Sequence, residues 1–164
     1  MSNQSTNAHW IRATEPNPQG RTRAIAAARS YGNSFVIKCD DPGPDSVYVH
    51  LLVPDVLGGD FDDRELEYSI DGGPSVIATW TYLEKGVALL THADRFLLSI
   101  REARQFACTA TAANGAKHNY RFDIAGAAAA IDFVSRVCGG KSSDGESHVL
   151  DDLRLSPEEL ATLK

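Results

Sequence analysis

The chain has 164 residues, a net charge of −6 and an apolar fraction of 43%, which are ordinary values for a single soluble globular domain. No apolar run approaches the roughly 18 residues that a membrane span needs, so we expect no membrane insertion. The net negative charge and the lack of a basic stripe argue against a nucleic-acid partner, because such a surface repels phosphates.

The first part of the chain predicts short antiparallel strands joined by tight turns. Residues 22–30 and 34–39 flank a turn at Tyr31-Gly32-Asn33, which predicts a hairpin. Alternating apolar residues continue the pattern, with a Pro/Gly/Asp turn cluster at 40–45 and a loop at 54–63. The predicted strands in this part are 22–30, 34–39, 47–53, 66–70, 76–83 and 87–90.

The second part adds two helices and one more hairpin. Thr91 to Asp94 has the spacing of a capping box, and an apolar helical stripe follows it. Strands over 105–111 and 117–124 flank the Asn114-Gly115 turn. A final helix is predicted to end at Gly139-Gly140. The two predicted stripes are Ala93, Phe96, Leu97, Ile100 and Ala103, and then Ala127, Ile131, Val134 and Cys138.

These elements predict a mainly β (β-rich α+β) fold: an antiparallel sandwich or partly open barrel with one mid-chain helix and a closing C-terminal helix. The β-rich domain is assigned to residues 21–140. Residues 1–20 are predicted to be a polar N-terminal tail, and residues 141–164 an acidic tail with a short helix at 157–163. The helix is suggested by Ser156 as N-cap and Pro157 at the first helical position.

The three cysteines raise one open question. Cys39 ends a strand on its apolar face and Cys138 ends the last helix on its apolar stripe. A disulfide between them would close a loop of about 100 residues, worth about 4.7 kcal/mol in the chain-entropy model. Two buried thiols in a reducing cytoplasm are an equal alternative. Cys108 lies within a strand beside Phe106, where core packing is expected.

The sequence predicts no catalytic residues. The five histidines are scattered, no G-x-S-x-G elbow is present, and Cys108 has no electropositive neighbour in sequence to lower its pKa. A catalytic triad of His50 with a serine and an aspartate is conceivable, because the members of a triad meet in space and not in sequence. No sequence motif supports it. Trp10, Trp80 and Tyr82 could stack on a ligand, but core or cross-strand packing is the better interpretation.

Nor does the sequence predict a metal or cofactor. The acidic run after Gly58-Gly59 supplies the first carboxylates of a calcium loop but lacks its central glycine and register, so a solvated turn is favoured. No C-x-x-C pair occurs, which argues against zinc and redox sites. Gly126 opens a helix without the glycine spacing of a phosphate loop, and close helix packing explains it.

Three segments together give a family resemblance: the strand that ends in Cys39, the hairpin with its Asp71-Gly72 turn, and the block from Phe122 through Gly126 to Cys138. In this order they resemble small bacterial secreted β-domains, including invasion-associated locus B proteins and VasI-type secretion accessory proteins. The resemblance runs from Phe35 to Gly139 and implies a non-enzymatic, protein-contacting domain with a Cys39–Cys138 bridge. The acidic segment after Gly140 departs from that pattern.

The expected function is that of a non-enzymatic protein-binding or structural subunit of a larger homo- or hetero-oligomeric assembly, such as a phage particle. The alternative is a secreted or periplasmic bacterial accessory protein stabilised by Cys39–Cys138. The opening MSNQSTNAHW lacks the basic start and apolar run of a secretory signal. We therefore expect a cytoplasmic or virion location, or a periplasmic or secreted one if a signal has been removed.

Overall fold

One antiparallel sheet of nine strands carries the fold, and two helices pack on its inner face. The structure, a computed structural model, describes residues 10–41, 46–83 and 85–138. The strands are β1 Trp10–Pro16, β2 Thr22–Ser30, β3 Asn33–Cys39, β4 Tyr48–Leu52, β5 Asp62–Ile70, β6 Val76–Leu83, β7 Val87–Leu90, β8 Gln105–Thr111 and β9 Lys117–Asp123. The helices are α1 Asp94–Ile100 and α2 Ala127–Cys138.

The strand order is β1-β2-β3-β4-β7-β6-β5-β8-β9. In the sheet β4 pairs directly with β7, and β5 and β6, which lie between these two strands in the chain, continue the sheet on the other side of β7. The sheet curls until β9 lies against β2 and β3 but is not closed into a barrel. Side chains bridge this seam: Asn33 Nδ2 donates to the Arg121 carbonyl at 3.0 Å, and the Asp123 amide donates to Ser30 Oγ at 2.8 Å.

The core lies inside the curl and is organised by aromatic rings. Phe35, Phe96, Phe106 and Phe122 contact one another with ring centroids 5.6 to 6.3 Å apart, mostly in edge-to-face pairs, the geometry that aromatic quadrupoles favour. Phe96 reaches this cluster from α1. The short helix is therefore held by the ring it inserts.

The helix α2 packs on the half of the sheet formed by β1, β2 and β3. On β2 the inner-face residues Ala24, Ala26 and Ala28 are fully buried. Because alanine has only a methyl group, the helix backbone can approach this strand closely. The buried face of α2 is formed by Ala127, Ala130, Ile131, Phe133, Val134 and Cys138.

The outer face of the sheet differs between its two halves. On β1, β2, β3, β4 and β7, which we call the apolar half, the outward side chains are mainly aliphatic: Ile11, Ala13, Ile25, Ala27, Val36, Leu52, Val87 and Leu89. On β6, β5, β8 and β9, the polar half, they are mainly charged or hydroxylated: Asp63, Glu65, Glu67, Thr79, Thr81, Thr109, Lys117, Asn119 and Arg121.

The predicted fold class is confirmed: the protein is mainly β, antiparallel and open, with a mid-chain and a closing helix. Each predicted strand and the last helical stripe are found within a few residues of the expected bounds. The structure differs at residues 10–16, which were assigned to the polar N-terminal tail but form β1 along β2. The strand ends at Pro16, which has no amide hydrogen to continue the pairing.

The predicted capping box is wrong. The helix α1 begins at Asp94 with Ala93 as its N-cap, and no side chain caps it. His92 precedes the helix in a left-handed conformation, with φ of 52°, so Thr91 does not reach the first turn. The predicted short helix at 157–163, the tail from 141 and the Gly139-Gly140 stop lie outside the described residues, as do residues 42–45 of the turn cluster.

Candidate functional site

The structure joins Cys39 to Cys138 by a disulfide, with their Cα atoms 6.4 Å apart. Both residues are fully buried. Cys39 is the last residue of β3 and Cys138 the last of α2, so the bridge fixes the carboxyl end of the closing helix to the middle of the apolar half. The sequence left open whether these residues form a disulfide or remain two buried thiols, and in the structure they form the disulfide.

The other candidate nucleophile and bases are not brought together. Cys108 is 5% exposed, and burial raises the pKa of its thiol to about 12, so the thiolate that reacts with electrophiles is disfavoured. His50 lies on the outer face of β4, His92 precedes α1, and His118 lies on β9. Trp80 and Tyr82 are buried, and Trp10 packs against Phe35, which agrees with core packing of these rings.

The acidic run at residues 60–65 forms a structured turn instead of a cation loop. The Asp60 amide donates to Asp62 Oδ1 at 2.8 Å, and Arg64 Nε donates to Asp62 Oδ2 at 2.6 Å. The bond from Arg64, together with the backbone donors, holds the pKa of Asp62 below its ordinary value. In the described ranges no group of three His, Cys, Asp or Glu side chains is arranged to hold a metal ion.

Arg64 fastens the loop at residues 53–61, which we call the clamped loop. Its guanidinium donates to the carbonyls of Leu57 at 3.0 Å, Gly58 at 2.8 Å and Thr111 at 3.1 Å. It also lies 4.8 Å above the centre of the Tyr82 ring. Arginine suits this position because its five donors are fixed in one plane, which lysine cannot reproduce.

Backbone contacts hold the same loop from the other side. The Leu57 amide donates to the Lys85 carbonyl and the Leu57 carbonyl accepts from the Ala113 amide, both at 2.8 Å, while the Leu57 side chain is only 2% exposed. A Cβ atom on Gly59 would lie 2.4 Å from the carbonyl of Tyr82, so only glycine fits there. The loop is thus fixed against β6 and the β6–β7 turn.

The clamped loop presents two large apolar side chains to solvent. Val56 is 71% exposed and Phe61 is 70% exposed. Phe61 also has a φ of 58°, in the left-handed region that costs a non-glycine residue roughly 1–2 kcal/mol. An exposed phenylalanine held in an unfavourable conformation is a feature that stability alone does not explain, and such outliers concentrate at functional sites.

A polar contact ties the base of the loop to β9. Tyr120 Oη donates to Asp55 Oδ2 at 2.9 Å, and His118 Nδ1 lies 3.6 Å from the same oxygen. Burial, with the hydrogen bond to Asp55 as a second cause, raises the pKa of the Tyr120 hydroxyl, which therefore stays protonated as a donor. The loop, which connects β4 to β5, is consequently tied to β9 as well as to β6 and the β6–β7 turn.

The sequence did not predict this site. The acidic residues after Gly58-Gly59 were interpreted as a solvated turn, and Arg64 was not assigned a role. No local sequence pattern predicts that a strand residue will donate to the carbonyls of residues 57, 58 and 111. The left-handed backbone conformation of Phe61 cannot be predicted from its residue type either.

Comparison with known proteins adds no relative. No family model matches the chain, and neither a curated protein nor a solved structure does. The resemblance to invasion-associated locus B and VasI-type proteins therefore stays a prediction. No helix in the described ranges is both long and apolar enough to cross a membrane.

Proposed function

We propose that this protein is a non-enzymatic protein-binding domain that engages its partner through the clamped loop, with Phe61 and Val56 as anchors. The observation that carries the proposal is the exposed, left-handed Phe61 on a loop whose backbone is fixed by Arg64. Aromatic anchors on a rigid support dominate binding energy at protein interfaces.

The fixed backbone matters because ordering a loop at an interface opposes binding. Each rotamer-rich side chain that is immobilised costs about 0.5–1.5 kcal/mol, and a loop that is already ordered avoids much of that cost. Arg64 and Gly59 hold the loop before any partner arrives. The strain at Phe61 is offset by those folding contacts, as expected for a conformation kept for recognition.

The surroundings of the loop define the kind of partner. Asp60 and Asp63 are exposed beside Phe61, while Arg64 is turned inward and bonded. The proposed partner therefore offers an apolar pocket for Phe61 with basic groups around it, since opposite charges at a rim speed association and fix orientation.

Site-specific photocrosslinking tests this function. A photoreactive phenylalanine analogue is placed at position 61 in the producing cells and, as a matched control, at position 98, because Leu98 is 71% exposed on α1. We expect a discrete adduct from position 61 alone. The partner, once identified and purified, should bind the F61S variant at least about 30-fold more weakly and the L98S variant normally, since an anchor is worth about 2 kcal/mol or more.

Equal binding by the F61S variant, or the same adducts from both positions, would remove the clamped loop from the interface.

We further propose that the domain works in an oxidising compartment, as a secreted or periplasmic accessory protein. The support is the buried Cys39–Cys138 disulfide, because such bonds persist in secreted and periplasmic proteins and are rare in the cytoplasm. The bridge therefore favours a secreted or periplasmic accessory protein over a cytoplasmic or virion subunit. The crosslinking experiment tests whether the protein also belongs to a larger assembly.

Thiol labelling inside the cell tests the compartment. Cells are quenched in acid, unfolded in denaturant and labelled with a maleimide without reductant. One label per chain, on Cys108, is expected for the bridged protein. Three labels per chain would show that Cys39 and Cys138 are reduced in the cell. That result would contradict an oxidising compartment and support a cytoplasmic location.

A further inference from the structure

The outer face of the polar half contains a small depression above Ala107 of β8, which we call the hollow. Phe106 and Cys108 on either side of Ala107 are buried, so the alanine side chain points outward. Because this side chain is only a methyl group, its longer neighbours enclose a space of about 190 Å³. The polar residues that line the hollow are Glu67, Ser69, Ser75, Thr109, Asn119 and Arg121.

The register of the strands places opposite charges on opposite sides of the hollow. Ala107 is paired with Ser69 on β5 and with Arg121 on β9. Glu67 lies two residues before Ser69 and points to the same face. Because β8 separates β5 from β9, the acidic and the basic wall stand on backbones that are roughly 10 Å apart.

Neither charge is neutralised by the protein. In the ranges that the structure describes, no carboxylate oxygen lies within 4 Å of the Arg121 guanidinium, and no cation lies within 4 Å of the Glu67 carboxylate. Two unpaired charges of opposite sign across one hollow are complementary to a ligand that carries both signs.

Arg121 is held in place by the β2–β3 turn. Its guanidinium lies 4.8 Å from the centre of the Tyr31 ring, and its carbonyl accepts a hydrogen bond from Asn33 Nδ2 at 3.0 Å. A guanidinium stacked in this way keeps its in-plane N–H donors available.

Tyr31 itself adopts an unusual conformation for this role. It has a φ of 53° and is 56% exposed in a two-residue turn, a position that asparagine, aspartate or glycine usually occupies. Burial does not account for a tyrosine there, whereas the support that it gives to Arg121 does. Backbone conformations of this kind concentrate at functional sites.

Hydrogen-bonding groups line the space between the two charges. Thr109 Oγ1 donates to Asn119 Oδ1 at 2.6 Å, which leaves the Nδ2 hydrogens of Asn119 for another acceptor. On the side of β5, the hydroxyl groups of Ser69 and Ser75 are able to donate or accept. The hollow therefore offers donors beside Arg121 and hydroxyl groups beside Glu67.

We propose that the hollow binds a free α-amino acid, whose carboxylate pairs with Arg121 and whose ammonium group pairs with Glu67. A guanidinium matches a carboxylate through two parallel N–H donors. The recognised groups are common to all α-amino acids, so the ligand's side chain is left in solvent. Because exposed ion pairs contribute little each, the expected dissociation constant is on the order of 1–10 mM.

Titration of the isotope-labelled, oxidised protein with glycine, followed by amide chemical shifts, tests this site. Glu65 on β5 and Lys117 on β9 provide matched controls, because they point outward from the same strands without lining the hollow. We expect saturable shifts around residues 67–69, 107–109 and 119–121 in the wild type, E65Q and K117Q. Binding should be weaker by about fivefold or more in R121Q and in E67Q.

Acetate and methylamine separate the contributions of the two charges. Each carries one charged group of glycine, and each should bind at least about fivefold more weakly than glycine. F61S should bind glycine like the wild type, since no residue of the clamped loop lines the hollow. The two proposals can therefore fail separately.

The proposal is overturned if the wild type shows no saturable shifts up to about 100 mM glycine, or if acetate binds as tightly as glycine. Wild-type affinity in a folded R121Q or E67Q, or an equal loss in E65Q and K117Q, also overturns it. The amide spectrum of each variant shows whether it is folded, and E67Q keeps the test valid if R121Q is not.

Discussion

Both halves of the sheet are built from antiparallel strand pairs, but they are stabilised by different means. The apolar half carries α2, a row of buried alanines and the Cys39–Cys138 bridge. Within the described residues, the polar half has neither a bridge nor a long helix, and its open end is closed by Arg64 under the clamped loop. One half is thus held by covalent and aliphatic contacts, and the other by an arginine that satisfies backbone carbonyls.

This difference shows where each half can change without loss of the fold. A disulfide acts mainly on the unfolded chain, so it stabilises the whole domain wherever it is placed. An arginine bonded to three carbonyls acts locally, because its removal takes a donor only from those groups, and the Leu57 carbonyl keeps the Ala113 amide. Stability and the proposed binding function are therefore separable by mutation.

The largest expected effect comes from the bridge. The double variant C39A/C138A should lose about 4.7 kcal/mol of unfolding free energy, because the native bridge closes a loop of 99 residues. Urea denaturation without reductant measures the loss. C108A is the matched control, a buried cysteine without a bridge, and should cost about 1 kcal/mol. A similar loss in the two variants would show that thiol packing, not the crosslink, stabilises the apolar half.

The second effect belongs to the clamp. R64M should cost about 2–3 kcal/mol, because carbonyls at 57, 58 and 111 lose a charged donor. R21M removes an exposed ion pair with Asp41 and should cost less than 1 kcal/mol. Amide hydrogen exchange should speed up in the clamped loop of R64M and stay unchanged in β2. Uniformly faster exchange would contradict the local role of Arg64.

The third effect has the opposite sign. F61G should leave the unfolding free energy unchanged or raise it by up to about 1 kcal/mol, since glycine adopts the left-handed conformation freely. The same change at Leu98, inside α1, should cost about 1 kcal/mol. Urea denaturation of both variants checks this. A clear loss in F61G would show that the phenylalanine contributes to the fold, and would weaken its assignment to binding.

The smallest effect concerns pH and the apolar half. The pKa of His50 falls from an ordinary 6.5 to about 4 on folding, so the unfolded chain binds this proton more readily. The corresponding stability is complete above pH 6.5 and is lost as the pH falls toward 4. Wild type should therefore lose more unfolding free energy than H50Q between pH 7 and pH 4.5. Parallel curves would show that His50 is solvated.

The sequence was sufficient for the elements but not for the site. Alternation in residues 66–70 and 105–111 locates strands because it reflects burial of one face, and the stripe ending at Cys138 locates α2 for the same reason. Strand order was not predicted, since the pairing of β4 with β7 depends on contacts distant in the chain. The role of Arg64 was missed because its acceptors lie up to 47 residues away.

The position of the two bridged cysteines also determines what a protease can release. The chain between Cys39 and Cys138 includes β4 through β9, both helices and the clamped loop. A single cut anywhere in that interval leaves both fragments covalently attached, and every sheet pairing stays available to them. A domain that is cut within the clamped loop would therefore remain one covalently joined unit, and proteolysis at that exposed loop would not by itself separate the sheet.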